Sequence, residues 1–426
     1  MGSEMCIRDR VLSFDMGGTT AKICLIKDQT PKTARVFEVA RTYRFKKGSG
    51  MPISIPVIDM VEIGAGGGSL AHVDAMRQIR VGPESAGSEP GPACYGRGGA
   101  RPAVTDADLM LGRLDADNFA GGSITLSTQA STTALEQEIG SHLDMDKTEA
   151  AWGLSEVVDE NMANAARVHA VENGEDLSEY TMIAFGGAAP LHAGRLCEKL
   201  GIHRCLIPTG AGVGSAIGFL KAPFSFEANR SVFMRMSSFA PDRIETLFKD
   251  MRAEATEFVR SCDAQAEILA DYKVYMRYAG QGWEIPVTLT AEQAANPDAD
   301  TFMRLFEEAY RQLFARTVEG LEVEITVWSV NATTKAKHAE AVLDTKLQAP
   351  LHHTQERALF DPATGKVMRA ALHHRDALET GFSVNGPAAI TEDETTIIVP
   401  TSRLAVALSD GCIALQMKDL QMKEEA

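Results

Sequence analysis

The chain has 426 residues, 45% hydrophobic and 23% charged, with 42 Lys and Arg against 58 Asp and Glu, a formal net charge of −16. That length accommodates two or three domains, and negative charge spread along the chain argues against a nucleic-acid or anionic-membrane partner. No apolar run reaches the roughly 18 residues of a membrane span and no secretory signal is visible; seven scattered cysteines with no Cys-x-x-Cys pair argue against a zinc or redox motif and fit a reducing cytoplasm.

The first ten residues, "MGSEMCIRDR", show neither alternation nor helical period and are set aside as tag-like. Val11–Phe14 and Ile23–Ile26 read as strands joined by "DMGGTTAK". The one dense basic run, Arg41 to Lys47, reads as a solvated strand end. "PVIDMVEIGAGGGSLAHVD" is a strand, a glycine run and a short strand. In Gly82–Gly99, nine of 18 residues are Gly or Pro, which predicts a long irregular loop of functional type. A helix then begins at "TDADLMLGRL", with Thr105 as N-cap and Asp106 and Asp108 in its first turn. Glu156 to Asn173 carries apolar residues at helical spacing and closes on Asn173-Gly174.

"YTMIAFGGAAPLHAGRLCEKLGI" and "HRCLIPTGAGVGSAIGFLKA" each read strand, glycine turn, helix, so an α/β domain is expected over 11–235. Composition changes across Phe233–Ala240. Beyond it come a charged helix (Asp242–Ser261), a strand pair around Gly280-Gln281-Gly282 and a helix at Phe302–Phe314. "AAITEDETTIIVP" and "LAVALSDGCIALQM" read as a pair of hairpins. A second, α+β and β-rich domain is expected over 240–426, with a charged tail from Lys418.

Two stretches can carry chemistry. In "DMGGTTAK" the glycines let backbone N–H groups approach an anion, Thr19 and Thr20 add hydroxyls, and Asp15 at a strand end suits a phosphate-bound water or Mg²⁺. No third glycine opens a helix as in a dinucleotide fold, and no Gly-Lys-Ser/Thr marks a Walker A loop. The same residues also suit a polar-tipped glycine hairpin. In "AFGGAAPLH" a Gly186-Gly187 turn leads into a helix whose N-terminus favours an anion, though a tight strand–helix turn is built the same way.

Together "IGAGGGSLAHVD", "RVGPESAGSEPGPACYGRGGARPAVTDADLMLGRL", "FGGAAPLHAGRLCEKLGI" and "MRYAGQGWEI" resemble the hydantoinase A / 5-oxoprolinase family over nearly all of Val11–Leu415. That family includes the ATP-binding subunits of acetone and acetophenone carboxylases. The resemblance implies one half of an actin/hexokinase/Hsp70-like ATPase fold, with a ribonuclease H-like βα unit. It implies ATP with Mg²⁺ as cofactors, and phosphorylation of a carbonyl oxygen that opens a cyclic amide such as a hydantoin or 5-oxoproline. The alternatives are a ketone carboxylase subunit or a non-catalytic, truncated nucleotide-binding module. It makes "FDMGGTTAK" the second phosphate motif and "FGGAAPLH" the adenosine motif. Asp15, Gly17, Gly18, Thr19 and Thr20 would then hold phosphate, Gly66 and Gly67 would assist, and Gly186 and Gly187 would approach the nucleotide. Asp15 and Asp106 are the expected catalytic residues. The implied partners are a hydantoinase B-like subunit or domain and an N-terminal half bearing the first phosphate hairpin, since only one such hairpin is present; turnover would need that half.

Other residues carry weaker readings. Asp59, Glu62 and His72 flank the "GAGGGS" run. Asp106 also serves as a first-turn carboxylate, and Asp108 is an acid–base or Mg²⁺ candidate. Cys94 reads as structural, while His192 suits either nucleotide contact or packing. The pairs His352-His353 and His373-His374 lack completing ligands, so no metal site is expected. Arg277, Tyr278 and Gln281 are assigned a structural role at an interdomain surface.

Overall fold

Leu12, Phe14 and Met16 are fully buried while their neighbours are partly exposed, the alternation of a strand with one face in a core. In the computed structural model, which describes residues 10–40, 42, 48–335 and 355–418, this is strand β1 (Arg10–Met16). It turns back into β2 (Ala21–Lys27), antiparallel, with Met16 opposite Ala21 and a four-residue tip, Gly17–Thr20. β3 (Met60–Ile63) pairs antiparallel with β2. On the other side of β1 lie β4 (Thr181–Phe185) and β5 (Arg204–Ile207), both parallel to it. The order β5-β4-β1-β2-β3, with β2 alone reversed, is the ribonuclease H-like unit expected of one half of an actin-like ATPase.

Helices lie between and after these strands. α1 (Val104–Met110) follows the Gly/Pro loop, α2 (Lys147–Glu172) crosses to β4, α3 (Ala189–Leu200) links β4 to β5, and α4 (Gly214–Lys221) follows β5. α2 buries Ala150, Ala151, Leu154, Val158, Met162, Ala165 and Ala166, a stripe in which four alanines allow close approach to the sheet. It starts nine residues before the expected Glu156. Asp146 accepts hydrogen bonds from the N–H groups of Thr148 and Glu149, and the Glu149 carboxylate in turn accepts one from the Asp146 N–H, a capping box hidden in "DKTE". α1 is capped at Ala103 rather than Thr105, because Asp106 accepts from the Ala103 N–H and Thr105 bonds elsewhere.

The chain divides into two compact units, Phe219–Glu340 and the remainder. The stretch expected as one domain, 240–426, is shared between these two units. Beyond residue 355 the described chain joins the first unit, where β6 (Ser383–Asn385), β7 (Ala388–Thr391), β8 (Thr396–Val399), β9 (Arg403–Ala407) and β10 (Ile413–Met417) lie. β10 pairs antiparallel with β5, and β9 and β6 continue outward, making a nine-stranded sheet among the described residues. The physical reason is shared burial: Val384, Ala405, Ala407, Ile413 and Leu415 enter the same core as Leu12 and Phe14. The buried guanidinium of Arg403 also donates to the carbonyls of Ile202 and His203, at 2.7 and 3.0 Å.

The second unit packs the helix Pro241–Cys262 on an antiparallel sheet around Trp328. There Tyr278 is buried and accepts from the Val318 N–H, Arg277 pairs with Glu324 at 3.2 Å, and Gln281 donates to the Tyr310 hydroxyl. These are structural bonds within that unit. The tag-like start through residue 9, the basic run apart from Thr42, the His352-His353 pair and the tail after Lys418 lie outside the described residues.

Candidate functional site

The C-terminal ends of β1 and β4 stand side by side, with Asp15 opposite Phe185, and the first turn of α4 reaches the same edge. Ligands of open α/β sheets bind at this edge. Asp15 is half-buried; its Oδ2 accepts a hydrogen bond from the Ser215 hydroxyl at 3.1 Å, and Oδ1 has no partner among the described residues. Gly186 has φ +98°, and a Cβ there would lie 2.6 Å from Asp15 Oδ1, so this turn admits only glycine. Its N–H donates to the Ala211 carbonyl at 2.7 Å, and the Ala188 N–H donates to that of Met16 at 3.0 Å. The β4–α3 turn is thus stitched to both neighbours, with Gly187 exposed beside it.

The hairpin tip rests on the glycine run. Gly67 and Gly68 N–H groups donate to the carbonyls of Gly17 (3.0 Å) and Gly18 (2.6 Å), and Gly17 N–H closes the turn onto Thr20 O at 3.1 Å. Beneath them Thr105, from α1, donates both its N–H and its hydroxyl to the Gly67 carbonyl, each at 2.8 Å. A Cβ on Gly66 would stand 2.6 Å from the Thr19 nitrogen, and one on Gly67 2.9 Å from Thr105 Oγ1. By contrast, a Cβ on Gly17 or Gly18 would meet nothing within 4 Å. The carbonyls of the tip point into the shelf, while the Gly18 and Thr19 N–H groups and both threonine hydroxyls have no partner among the described residues. The arrangement is a row of free donors beside a carboxylate, above a cradle that a side chain would fill.

A model of the hydantoinase/oxoprolinase family matches residues 2–228, and one of the hydantoinase/oxoprolinase C-terminal domain matches 236–413. The chain belongs to the hydantoinase/oxoprolinase family. A protein of Methanocaldococcus jannaschii is 33% identical over 97% of this chain and 59% of its own length. Caprolactamase subunit alpha of Pseudomonas jessenii is 30% identical over 92% and 56%. The crystal structure of ATP-dependent caprolactamase from that organism aligns at 28% identity with a TM-score of 0.76, over 97% of this chain and 60% of that one. Nucleotide-free acetone carboxylase, at 23% identity, shares the fold with a TM-score of 0.79 over 96% and 58%. The chain therefore spans less than two thirds of the length of these relatives.

Within this hydantoinase/oxoprolinase framework, Asp15, Gly17, Gly18, Thr19, Thr20, Gly186 and Gly187 come together at one edge. Gly66 and Gly67 lie buried beneath the hairpin as its shelf, so their bareness is explained by packing. Asp106 is corrected as a catalytic residue. It is 0% exposed, and its carboxylate accepts from the N–H groups of Ala93, Cys94 and Ala103 and from the Ser131 hydroxyl, at 2.7–3.1 Å. It clamps the Gly/Pro loop onto α1 and α2's neighbour Thr128–Leu135. Cys94 is equally buried, and burial together with Asp106 pushes its thiol pKa far up, which suits a structural thiol.

His192 also leaves the site. It is fully buried, with Nδ1 2.7 Å from Asp159 Oδ1 and Nε2 3.2 Å from Asp108 Oδ2, while Arg113 donates to Asp108 and to Ser155 at 2.9 Å each. Burial disfavours its cation, but Asp108 and Asp159 outweigh that and raise its pKa to about 9. Burial likewise opposes the Asp108 anion, and His192 and Arg113 overcome it and lower its pKa. The cluster ties α1, α2 and α3 together. Glu62 pairs loosely with Lys22 at 4.0 Å, and His72 lies on an exposed strand face opposite Arg80. Two residues escaped the sequence reading: Ser215 at Asp15, and Thr395, whose hydroxyl donates to the Gly187 carbonyl at 2.9 Å. Ser215 sits inside a quoted glycine loop, but no local signal aims it at a residue 200 positions away.

Proposed function

We propose that this chain is the nucleotide-binding portion of an ATP-dependent enzyme that opens a cyclic amide, of the hydantoin, 5-oxoproline or lactam class. The observation that carries the reading is the pair Gly17 and Gly18. A Cβ on either would meet nothing within 4 Å, and the Gly18 and Thr19 N–H groups, without a partner among the described residues, stand beside a half-buried carboxylate. Phosphate oxygens fit such donors, and the Gly18 and Thr19 N–H groups with the Thr19 and Thr20 hydroxyls would hold them. Asp15 would hold Mg²⁺, which takes one or two carboxylates and completes its shell with phosphate and water. Gly187, exposed at the start of α3, would border the nucleoside. ATP would supply a phosphoryl group to the amide carbonyl oxygen, leaving as ADP, and water added at the activated carbon would then open the ring as the C–N bond breaks and phosphate departs.

A hydantoinase B-like subunit or domain and a second phosphate hairpin are the proposed partners, in keeping with relatives described as subunits. No described helix is long and apolar enough to cross a membrane, and a cytoplasmic location is proposed from the cysteine usage. The second reading, a ketone carboxylase subunit, is favoured by the acetophenone carboxylase gamma subunit of Aromatoleum aromaticum, 29% identical over 96% of this chain. ADP release from the protein combined with its partner subunit separates the two. Stimulation by hydantoin, 5-oxoproline or caprolactam is expected; stimulation by acetone or acetophenone alone favours the second reading, and none by any substrate refutes both.

A further inference from the structure

We infer that Ser215 is a positioning residue that aims the Asp15 carboxylate at a divalent cation, an inference that rests on the phosphate-site reading above. The Ser215 hydroxyl occupies Oδ2 at 3.1 Å and leaves Oδ1 without a partner among the described residues. Gly186 clears the space around Oδ1, since any Cβ there would stand 2.6 Å from it. One oxygen is therefore anchored and the other is open. The anchor is itself fixed. Ser215 lies in the first turn of α4, and a Cβ on the preceding Gly214 would come within 2.9 Å of Phe185 Cβ, so the helix start is pressed onto the residue paired with Asp15. A hydrogen bond to the non-ligating oxygen orients a ligating carboxylate and restricts its rotation. Ser215 is exposed and enters no hydrophobic cluster, so its hydroxyl contributes little to the core.

The test is a titration of the full chain with Mn²⁺ as a paramagnetic stand-in for Mg²⁺, followed by electron paramagnetic resonance at saturating ADP. Ser215→Ala should weaken Mn²⁺ binding about ten- to a hundredfold, the usual effect of removing an outer-shell partner. Metal-free ADP affinity should not change, and Ser215→Thr should restore Mn²⁺ binding through its hydroxyl. Asp15→Ala should lose it. Unchanged Mn²⁺ affinity in Ser215→Ala, or Ser215→Thr as weak as Ser215→Ala, while Asp15→Ala loses the metal, overturns the inference and leaves the site reading standing. Failure of the wild-type chain to bind Mn²⁺ with ADP, or undiminished binding in Asp15→Ala, overturns the site reading and this inference with it.

Discussion

Two glycines 48 positions apart should respond in opposite ways to the same methyl group. At Gly18 an added Cβ meets nothing within 4 Å and φ lies outside the left-handed region, so Gly18→Ala introduces no clash. A tolerated Gly→Ala change tends to stabilise, by about 0.4–1 kcal/mol, because the unfolded chain loses freedom. At Gly66 the Cβ would lie 2.6 Å from the Thr19 nitrogen and 2.7 Å from the carbonyl carbons of Gly18 and Thr19. These are backbone atoms that cannot rotate aside, so the hairpin must lift. Overpacking of this kind costs about 1–3 kcal/mol. Lifting also strains the Gly67–Gly17 and Gly68–Gly18 hydrogen bonds, worth about 1 kcal/mol each. The expected loss for Gly66→Ala is thus on the order of 2–5 kcal/mol.

Urea midpoints give the stability side, and calorimetric titration with ADP or ATP gives the ligand side. Gly18→Ala should hold or slightly raise its midpoint while nucleotide affinity falls at least about tenfold, because the methyl occupies the space that a phosphate needs. Gly66→Ala should lose midpoint first, and affinity only as the hairpin is displaced. Wild-type affinity in Gly18→Ala refutes the phosphate assignment of the tip. An unshifted midpoint in Gly66→Ala refutes the shelf.

The His192 cluster predicts a pH dependence. Its folded pKa, about 9, lies above the ordinary 6.5, so its contribution is fully present below pH 6.5 and is lost as pH rises through 9. Wild-type urea midpoints should decline across that window and His192→Gln midpoints should not; equal slopes in the two proteins would refute protonation of His192 in the folded state. Thiol alkylation followed by mass spectrometry should modify exposed Cys262 rapidly in the native protein, and buried Cys94 only on unfolding. Fast native labelling of Cys94 would contradict its burial within the Gly/Pro loop.

The local elements were legible because their causes are local. Alternation of Leu12, Phe14 and Met16 marks β1, and short continuous apolar runs, buried almost throughout, mark the hairpins β7–β8 and β9–β10. The start of α2 was missed although its cause is also local, since the capping box lies ahead of the first strongly apolar stretch and carries no hydrophobic period. The return of the C-terminal strands had no local cause at all. Strands β5 and β10 pair Cys205 with Leu415, and either edge would satisfy the hydrophobic pattern of each strand with some other partner. Only burial of Ile413 and Leu415 in the core already holding Leu12 selects that pairing, and this depends on the completed first unit.

The same limit separates residues that look alike in the candidate site. Gly17-Gly18 and Gly66-Gly67 are identical as letters, and each follows a strand. What distinguishes them is the atom that a Cβ would meet: nothing within 4 Å for the first pair, and for the second the Thr19 nitrogen or Thr105 Oγ1. Asp15 and Asp106 differ in the same way. Each stands near a chain turn and a glycine-rich loop, but the Asp106 carboxylate accepts from three N–H groups and a hydroxyl, whereas Asp15 accepts, among the described residues, from Ser215 alone. A carboxylate saturated by its own chain, with no exposure, has no lone pair left for a ligand. Availability for chemistry is therefore set by what neighbouring segments leave unsatisfied, and those neighbours, Ala93 and Ser131 for one aspartate and Ser215 for the other, come from different elements of the fold.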